Sequence, residues 1–207
     1  MKYLLLVSIS LFVNSISYSQ LSGNDSLAYI KEIESQRKEK NKEYKKNSKP
    51  IPPEYKKGFK QLDYFPIDVN YRLHAIFHKS KDEKPFAMET TTKRKPMYIK
   101  YGTITFIVDS VEYKLAVYQN VVGAKLESYD GKLFIPFKDK TSKLETNING
   151  RYLDFWIPDS EDVIIDFNLA SNPWCVYNEH FSCPIPPEEN ILPIPIKAGE
   201  KDFMYGH

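Results

Sequence analysis

The chain is poor in glycine and cysteine, with eight glycines and two cysteines among 207 residues. Phosphate-binding loops and nucleophile elbows depend on closely spaced glycines, and neither the G-x-x-x-x-G-K-[ST] nor the G-x-S-x-G pattern occurs. The H-E-x-x-H pattern of zinc proteases is also missing, and the two cysteines lack the C-x-x-C spacing of zinc ribbons. These absences exclude the nucleotide-binding, serine-hydrolase and zinc-protease classes that such motifs mark. The catalytic residues are therefore unknown from the sequence.

A large excess of charge of one sign is missing as well. The formal net charge is +2, which is not typical of a general nucleic-acid binder with its strongly basic surface. The basic residues are unevenly spread, because residues 31–60 carry 11 Lys or Arg and only 5 Glu. We therefore predict no nucleic-acid partner, a basic N-terminal arm and a mildly acidic body.

Long apolar runs are missing except at the start of the chain. Lys2 supplies a basic beginning, residues 3–13 are mostly apolar, and residues 15–20 are polar. This pattern is typical of a secretory signal peptide, and the apolar run is too short for a permanent membrane helix. We predict that residues 1–20 are removed and that the mature chain is periplasmic or secreted, with no transmembrane segment. An uncleaved anchor is the alternative.

Export would place the two cysteines in an oxidising compartment, where two cysteines usually pair. A disulfide between Cys175 and Cys183 is therefore predicted, closing a short loop. A Cys nucleophile with His180 as its base is the alternative, but a disulfide would remove the thiolate that such chemistry needs.

Residues 21–58 are predicted to form a charged helix followed by a Pro-rich linker. The segment 25–46 has no Gly or Pro, and Leu27, Ile30 and Ile33 recur every three residues. This spacing predicts a helix with a thin apolar stripe, which rests on the body near its start and is solvated towards its end. A cluster of prolines then ends the helix.

From residue 59 onward the hydrophobic pattern changes to a period of two, which is typical of half-buried strands. Seven segments are predicted as strands: 71–78, 86–92, 98–108, 112–119, 132–137, 151–157 and 163–167. Their short connections favour antiparallel pairing. We predict that 59–207 is a single, mainly β domain. It would be an antiparallel sandwich or small barrel with an N-terminal helical arm and a long Pro-rich C-terminal loop system.

The C-terminal loop system is the stretch 166–200, which holds six of the fourteen prolines and both cysteines. Its many amide and carboxylate side chains have two interpretations. They cap the backbone groups of a long surface loop, or they converge on a pocket and bind a small polar ligand. The candidate ligand-binding residues are Asp166, Asn168, Asn172, Tyr177, Glu189, Asn190 and Arg151.

No metal site and no cofactor are predicted. His74 and His78 share one face of a strand but lie about 13 Å apart, at a rise of about 3.3 Å per residue, so they cannot bind one ion together. Carboxylates such as Asp139 are suitable calcium ligands, but the spacing of an EF-hand loop is missing.

Six segments carry a family resemblance: FKQLDYFPIDVNYRLHAIF from Phe59, PFAMETTTKRKPMYIKYG from Pro85, YKLAVYQN from Tyr113, LFIPFKDKTS from Leu133, GRYLDFWIP from Gly150 and DFNLASNPWCVYNEHFSCPIPPEEN from Asp166. In these segments the chain resembles the bacterial family catalogued as domain of unknown function 1684. The resemblance implies a defined globular domain whose biochemical role is unassigned, so function must come from the residues.

Three functional hypotheses follow from these residues. The first is an exported, monomeric domain that binds a small polar ligand or an envelope partner without catalysis. The second is a hydrolase that uses carboxylates or a metal near Asp139, Asp166 and Glu189. The third is a structural envelope protein, in which the C-terminal stretch only staples the fold.

Overall fold

The computed structural model describes residues 23–46 and 49–203, so the predicted signal peptide at 1–20 lies outside the described residues. The helices are α1 (Gly23–Lys46) and the single turn α2 (Pro53–Lys56). The strands are β1 (Arg72–Lys79), β2 (Phe86–Ala87), β3 (Met97–Val108), β4 (Val111–Asn120), β5 (Lys132–Phe137), β6 (Arg151–Trp156) and β7 (Asp162–Asp166). Single 3-10 turns lie at Val69–Tyr71, Gly123–Lys125, Glu127–Tyr129, Phe167–Leu169, Trp174–Val176 and Glu188–Asn190.

The strands form one antiparallel sheet in the order β6-β5-β4-β3-β1-β7, with β2 paired to β3. The sheet curls into a half-barrel, so the predicted class, mainly antiparallel β with an N-terminal helix, is confirmed. Each predicted strand is present, but the one predicted over 86–92 is only two residues long. The reason lies at Thr90, whose hydroxyl donates to the carbonyl oxygens of Thr92 and Arg94 and so folds the chain into a turn.

In the longest hairpin, β3–β4, the turn and the alternation of apolar residues that the sequence predicts are both present. Asp109 and Ser110 both have positive φ, 49° and 65°, as a two-residue hairpin turn requires. Val108 pairs with Val111, and the register places alternate residues of both strands, such as Ile104 and Leu115, in the core. The core therefore fills the inner face of the sheet.

The C-terminal stretch closes that inner face. Leu192, Ile196 and Ala198 are buried in the same core as the strand residues. Backbone hydrogen bonds hold the stretch beside the residues that follow β5: Lys138 N donates to Asn190 O at 3.0 Å, and Leu192 N donates to Lys138 O at 2.8 Å. The predicted loop system is thus an ordered cover for the core.

The Asn190 side chain bridges β4 and β5 where the backbone hydrogen bonding between these two strands is incomplete. Pro136 has no N–H to donate, and the one residue pair between these strands is Tyr118 with Phe134. The Asn190 side chain accepts from Ala116 N at 2.7 Å and donates to Ala116 O at 2.9 Å and Pro136 O at 2.6 Å. Both amide hydrogens are used within the fold, so the capping interpretation accounts for the Asn190 side chain, and its role in ligand binding stays a prediction.

Arg151 and Asp139 form an ion pair that is fully buried. Arg151 Nη2 lies 2.8 Å from Asp139 Oδ2, and each side chain is 1% exposed. The guanidinium also donates to the carbonyl oxygens of Ile196 (2.8 Å), Ala198 and Glu200 (3.3 Å). Burial lowers the pKa of Arg151, and the Asp139 carboxylate opposes that change. The pair therefore holds residues 196–200 against the end of the sheet, which gives Arg151 a structural role, while its predicted ligand contact stays a prediction.

The helix α1 packs on the body along its whole length. Its contact residues recur at helical spacing, from Tyr29 and Ile33 to Tyr44, which are 8%, 2% and 6% exposed. Tyr44 joins a second cluster with Phe59, Leu62, Val176, Tyr177, Phe203 and Ile51. The expectation of a solvated end was wrong at Tyr44, because aromatic side chains of the body cover it. Leu27, predicted as part of the stripe, is 60% exposed.

The described helices show no membrane span. Within 23–46 and 49–203, none is both long and apolar enough to cross a bilayer.

Replacing Arg151 with Met should lower the free energy of unfolding by about 3–5 kcal/mol, because Asp139 would stay buried without its partner. Urea unfolding of the mature chain, followed by tryptophan fluorescence, measures the loss. The matched control is Asp154→Asn on the same strand, whose ion pair with Lys132 is solvent-exposed. The control should change stability by less than about 0.5 kcal/mol. Similar small losses in both variants would contradict a structural role for the buried pair.

Candidate functional site

A small cleft lies between α1 and the body, with a volume of about 150 Å³. Its polar walls are formed by Arg37, Lys40, Tyr64 and Glu200, together with Gln36 and Asn168, and its apolar wall by Ile33, Leu169 and Ala170. We call it the arm cleft. It brings residues of the N-terminal helix together with the last residues of the C-terminal stretch.

A left-handed glycine positions Glu200 in the arm cleft. Gly199 has a φ of +77°, and a Cβ at this position would lie 2.5 Å from Ala170 O, so only glycine fits. Directly after it, Glu200 N donates to Ala170 O at 2.9 Å. This turn places the Glu200 carboxylate beneath α1, where the residue is 1% exposed.

The buried Glu200 carboxylate is held by three groups from distant parts of the chain. Lys40 Nζ lies 2.5 Å from Oε1, while Oε2 accepts from Asn172 N at 2.8 Å and from the Tyr177 hydroxyl. Burial alone would lower the pKa of Lys40, but Glu200 and Tyr44 raise it overall. The pKa of Tyr177 is raised well above its usual value, first by burial and then by Glu200. Lys40 thus stays charged and Tyr177 stays a donor.

Arg37 and Tyr64 carry the unused hydrogen-bond donors of the arm cleft, while the Glu200 Oε1 atom, which has no hydrogen bond, lies 2.5 Å from Lys40 Nζ. Arg37 Nη1 donates to Phe65 O at 3.0 Å, and its guanidinium lies 4.3 Å from the centroid of the Tyr64 ring. Arg37 Nε, Arg37 Nη2 and the Tyr64 hydroxyl are buried and have no hydrogen-bond partner among the described residues. Burial, and after it Glu200, raises the pKa of Tyr64, so its hydroxyl keeps its proton. Buried donors without partners are rare and are a sign of a missing ligand or water.

Asp166 and Asn168 bind other parts of the protein. The Asp166 carboxylate accepts from the Tyr29 hydroxyl at 2.8 and 3.0 Å and from Asn168 N at 2.9 Å. The Asn168 side chain accepts from Asp68 N at 3.0 Å and donates to Asp68 O at 2.8 Å. These contacts fit the capping interpretation, in which such side chains satisfy the backbone of a loop.

Glu189 lies away from the arm cleft. Its carboxylate is bound by Lys100 Nζ at 2.5 Å and by the Tyr118 hydroxyl at 2.6 Å. Burial raises the pKa of Glu189, but the hydrogen bonds from Lys100 and Tyr118 lower it by more, so the pKa lies below its usual value. Since Asp139, Asp166 and Glu189 each have separate partners, the structure does not bring these three carboxylates together.

Three of the predicted residues reach the arm cleft, because Asn168 lines it directly and Asn172 and Tyr177 join it through Glu200. Sequence reasoning missed Glu200 itself and the helix residues Arg37 and Lys40. The sequence does hold a sign of these helix residues, because side chains three or four positions apart share one face of a helix. With polar residues included, that face consists of Tyr29, Ile33, Arg37, Lys40 and Tyr44.

The two cysteines are neighbours but are not bonded to each other in this structure. Cys175 N donates to Cys183 Sγ at 3.1 Å, and Cys183 N donates to the Thr91 hydroxyl at 3.1 Å. A hydrogen bond from the Cys183 thiol lowers the pKa of Cys175, and the same contact raises the pKa of Cys183. The predicted disulfide therefore stays a prediction, with its two partners already side by side.

Nowhere in 23–46 or 49–203 do three or more His, Cys, Asp or Glu side chains form a group that could hold an ion.

A larger groove of about 800 Å³ crosses the outer surface of β1 and β3, near Arg72, His74, Thr105 and Ile107. None of its lining residues has a buried polar atom without a partner in the described structure. The arm cleft is the better candidate site, because its donors are buried, oriented and unused.

Comparisons with known proteins identify a family and a similar structure, and neither of them has an assigned function. The model of a family described as protein of unknown function (DUF1684) matches residues 57–201. The chain is also similar to an uncharacterised protein of Haloarcula marismortui, whose structure was determined by solution NMR. The two are 30% identical, the likeness covers 89% of this chain and 100% of that one, and the TM-score is 0.68. No curated protein matches.

Replacing Lys40 with Ala should lower the free energy of unfolding by about 1–3 kcal/mol, because the buried Glu200 would lose its only cation among the described residues. Chemical denaturation, with circular dichroism to follow α1, measures this. Lys42→Ala on the same helix is the control, since its ion pair with Glu39 is exposed and should contribute less than about 0.5 kcal/mol. Equal effects of the two substitutions would mean that α1 is not held by Glu200.

Proposed function

The chain belongs to the DUF1684 family of proteins of unknown function, and we propose that it is a non-catalytic domain that binds a small polar ligand in the arm cleft. One observation carries the proposal: Arg37 and Tyr64 present buried donors with no partner in the described structure. Leaving such a donor unsatisfied costs about 1–3 kcal/mol, and a bound acceptor would recover that free energy.

The lining of the arm cleft supports binding rather than hydrolysis. No Ser, Cys or His lines it, so a nucleophile with a neighbouring base is missing from these walls. Its one carboxylate, Glu200, is occupied by Lys40, Asn172 and Tyr177. A carboxylate with these three partners is well placed to fix the shape of a site and poorly placed to exchange protons with a substrate.

We place this domain outside the cytoplasm, as a periplasmic or secreted monomer. The support is the sequence of residues 1–20, with its basic start, apolar run and polar end. In such a compartment the neighbouring thiols of Cys175 and Cys183 would form a disulfide. The closed loop contains Tyr177, so the disulfide would also brace one of the groups that hold Glu200.

Filling the arm cleft should abolish ligand binding without unfolding the protein. Leu169 lines the cleft and is 46% exposed, so Leu169→Trp is expected to occupy the space with little strain. A mixture of small polar metabolites, screened by two-dimensional NMR on the ¹⁵N-labelled mature chain, should shift amide signals around Ala170 and Glu200 in the parent protein and not in the variant.

The control for this screen is Leu144→Trp, at a leucine that is 81% exposed and outside the cleft. It should bind as the parent does. A screen in which no compound shifts the cleft signals, or in which Leu169→Trp binds normally, would refute the arm cleft as the ligand site.

Secretion of the protein into an oxidising compartment should join Cys175 to Cys183. The intact mass would then be lower by two hydrogen atoms, and peptide mapping would recover the linked pair. Reduction should lower the free energy of unfolding by about 2–3 kcal/mol, the usual range for closing a short loop. Complete alkylation of both cysteines without prior reduction would refute the disulfide.

A further inference from the structure

One of the two cations of the arm cleft, Arg37, forms no ion pair among the described residues. Lys40 and Glu200 neutralise each other at 2.5 Å. Arg37 has no carboxylate within ion-pair distance in 23–46 or 49–203, although Glu200 and Asp166 act on it from further away and partly oppose the lowering of its pKa by burial. A buried or half-buried cation is normally paired, so the cleft is suited to a ligand with one negative charge.

The guanidinium of Arg37 is held in a fixed orientation. One nitrogen, Nη1, donates to Phe65 O, and the guanidinium carbon lies over the Tyr64 ring, 4.3 Å from its centroid. The atoms that stay unused are Nε and Nη2, which together form one edge of the guanidinium. That edge presents two parallel N–H groups, which is the geometry in which arginine binds a carboxylate through two hydrogen bonds.

The size and the apolar wall of the arm cleft limit what else the ligand contains. Its volume of about 150 Å³ corresponds to roughly five water molecules, at about 30 Å³ each. Ile33, Leu169 and Ala170 form a wall without charge. A short aliphatic chain would bury apolar surface there, whereas a second charged group would lose its hydration without gaining a partner.

We propose that the ligand of the arm cleft is a small monocarboxylate with a short aliphatic chain. Its carboxylate is bound by Nε and Nη2 of Arg37 and by the Tyr64 hydroxyl, and its chain lies against Ile33, Leu169 and Ala170. The inference rests on the proposed function, since it names the ligand class of the same cleft.

Titration of the mature, ¹⁵N-labelled chain in chloride-free buffer tests this class with matched probes. Propionate is the expected ligand, propionamide is its neutral isostere, propylammonium is the cation, and inorganic phosphate is an anion without an aliphatic chain. Propionate should shift the amide signals of the cleft at lower concentration than each of the other three. Any of those three binding as tightly as propionate would overturn the monocarboxylate class, while the cleft itself would still stand as a binding site.

Variants then test the residues that are assigned to the carboxylate. Arg37→Gln should weaken propionate binding about tenfold to a hundredfold, the usual effect of losing charge-assisted hydrogen bonds. Tyr64→Phe removes only a hydroxyl, so a smaller loss of about tenfold or less is expected while the stacked ring is kept. Lys38→Gln, one residue along and exposed, removes the same charge as Arg37→Gln and should leave binding unchanged.

These outcomes separate the two proposals. A chain on which none of the four probes shifts cleft signals, at concentrations up to the millimolar range, refutes both the site and the ligand class. Propionate binding that survives Arg37→Gln and Tyr64→Phe, or that falls equally in Lys38→Gln, overturns the assignment of the carboxylate to Arg37. Circular dichroism of each variant confirms that α1 is still folded, so a loss of binding is a local effect.

Discussion

The ion pair between Arg151 and Asp139 is the interaction on which the arrangement of the C-terminal stretch depends. Removing both charges from water is costly, and their mutual attraction offsets that cost only when the remaining hydrogen bonds are made. Here the guanidinium also binds the carbonyl oxygens of Ile196, Ala198 and Glu200, which are alternate residues of the C-terminal stretch. A lysine could not make this set of contacts, because it lacks the planar fork. The pair thereby specifies where residues 196–200 lie.

That placement links the two ends of the chain. With Gly199 turning the backbone, Glu200 is buried beneath α1, and Lys40 of the helix supplies its counter-ion. The basic arm is therefore part of the folded body, and one of its charges is neutralised by a carboxylate more than a hundred residues away. The arm cleft exists only because the C-terminal stretch and the helix both contribute to its walls. A site of this kind depends on long-range contacts from both ends of the sequence.

The strands could be predicted because their signal is local. In the β3–β4 hairpin, alternation of apolar side chains and a two-residue turn sit within adjacent residues, and the observed register agrees with them. The role of Asn190 could not be predicted in this way. It follows from a missing N–H at Pro136, and from the approach of a segment that lies 54 residues further along the chain. The docking of α1 was missed for a similar reason, since Arg37 and Lys40 resemble solvated helix residues until Glu200 and Tyr64 are placed beside them.

The polar residues of the C-terminal stretch illustrate how hydrogen-bond partners separate structural from functional side chains. Composition alone treats Asn168, Asn172 and Asn190 as equal candidates, yet each of them donates to the backbone of another segment. The unused donors that line the arm cleft belong to Arg37 and Tyr64, which lie outside that stretch. Arg37 is carried by α1 and Tyr64 by the segment before β1, so a ligand that binds both would connect the arm to the body. Because such a ligand binds only the docked state of the helix, its binding free energy would add to the contacts that already hold α1 in place.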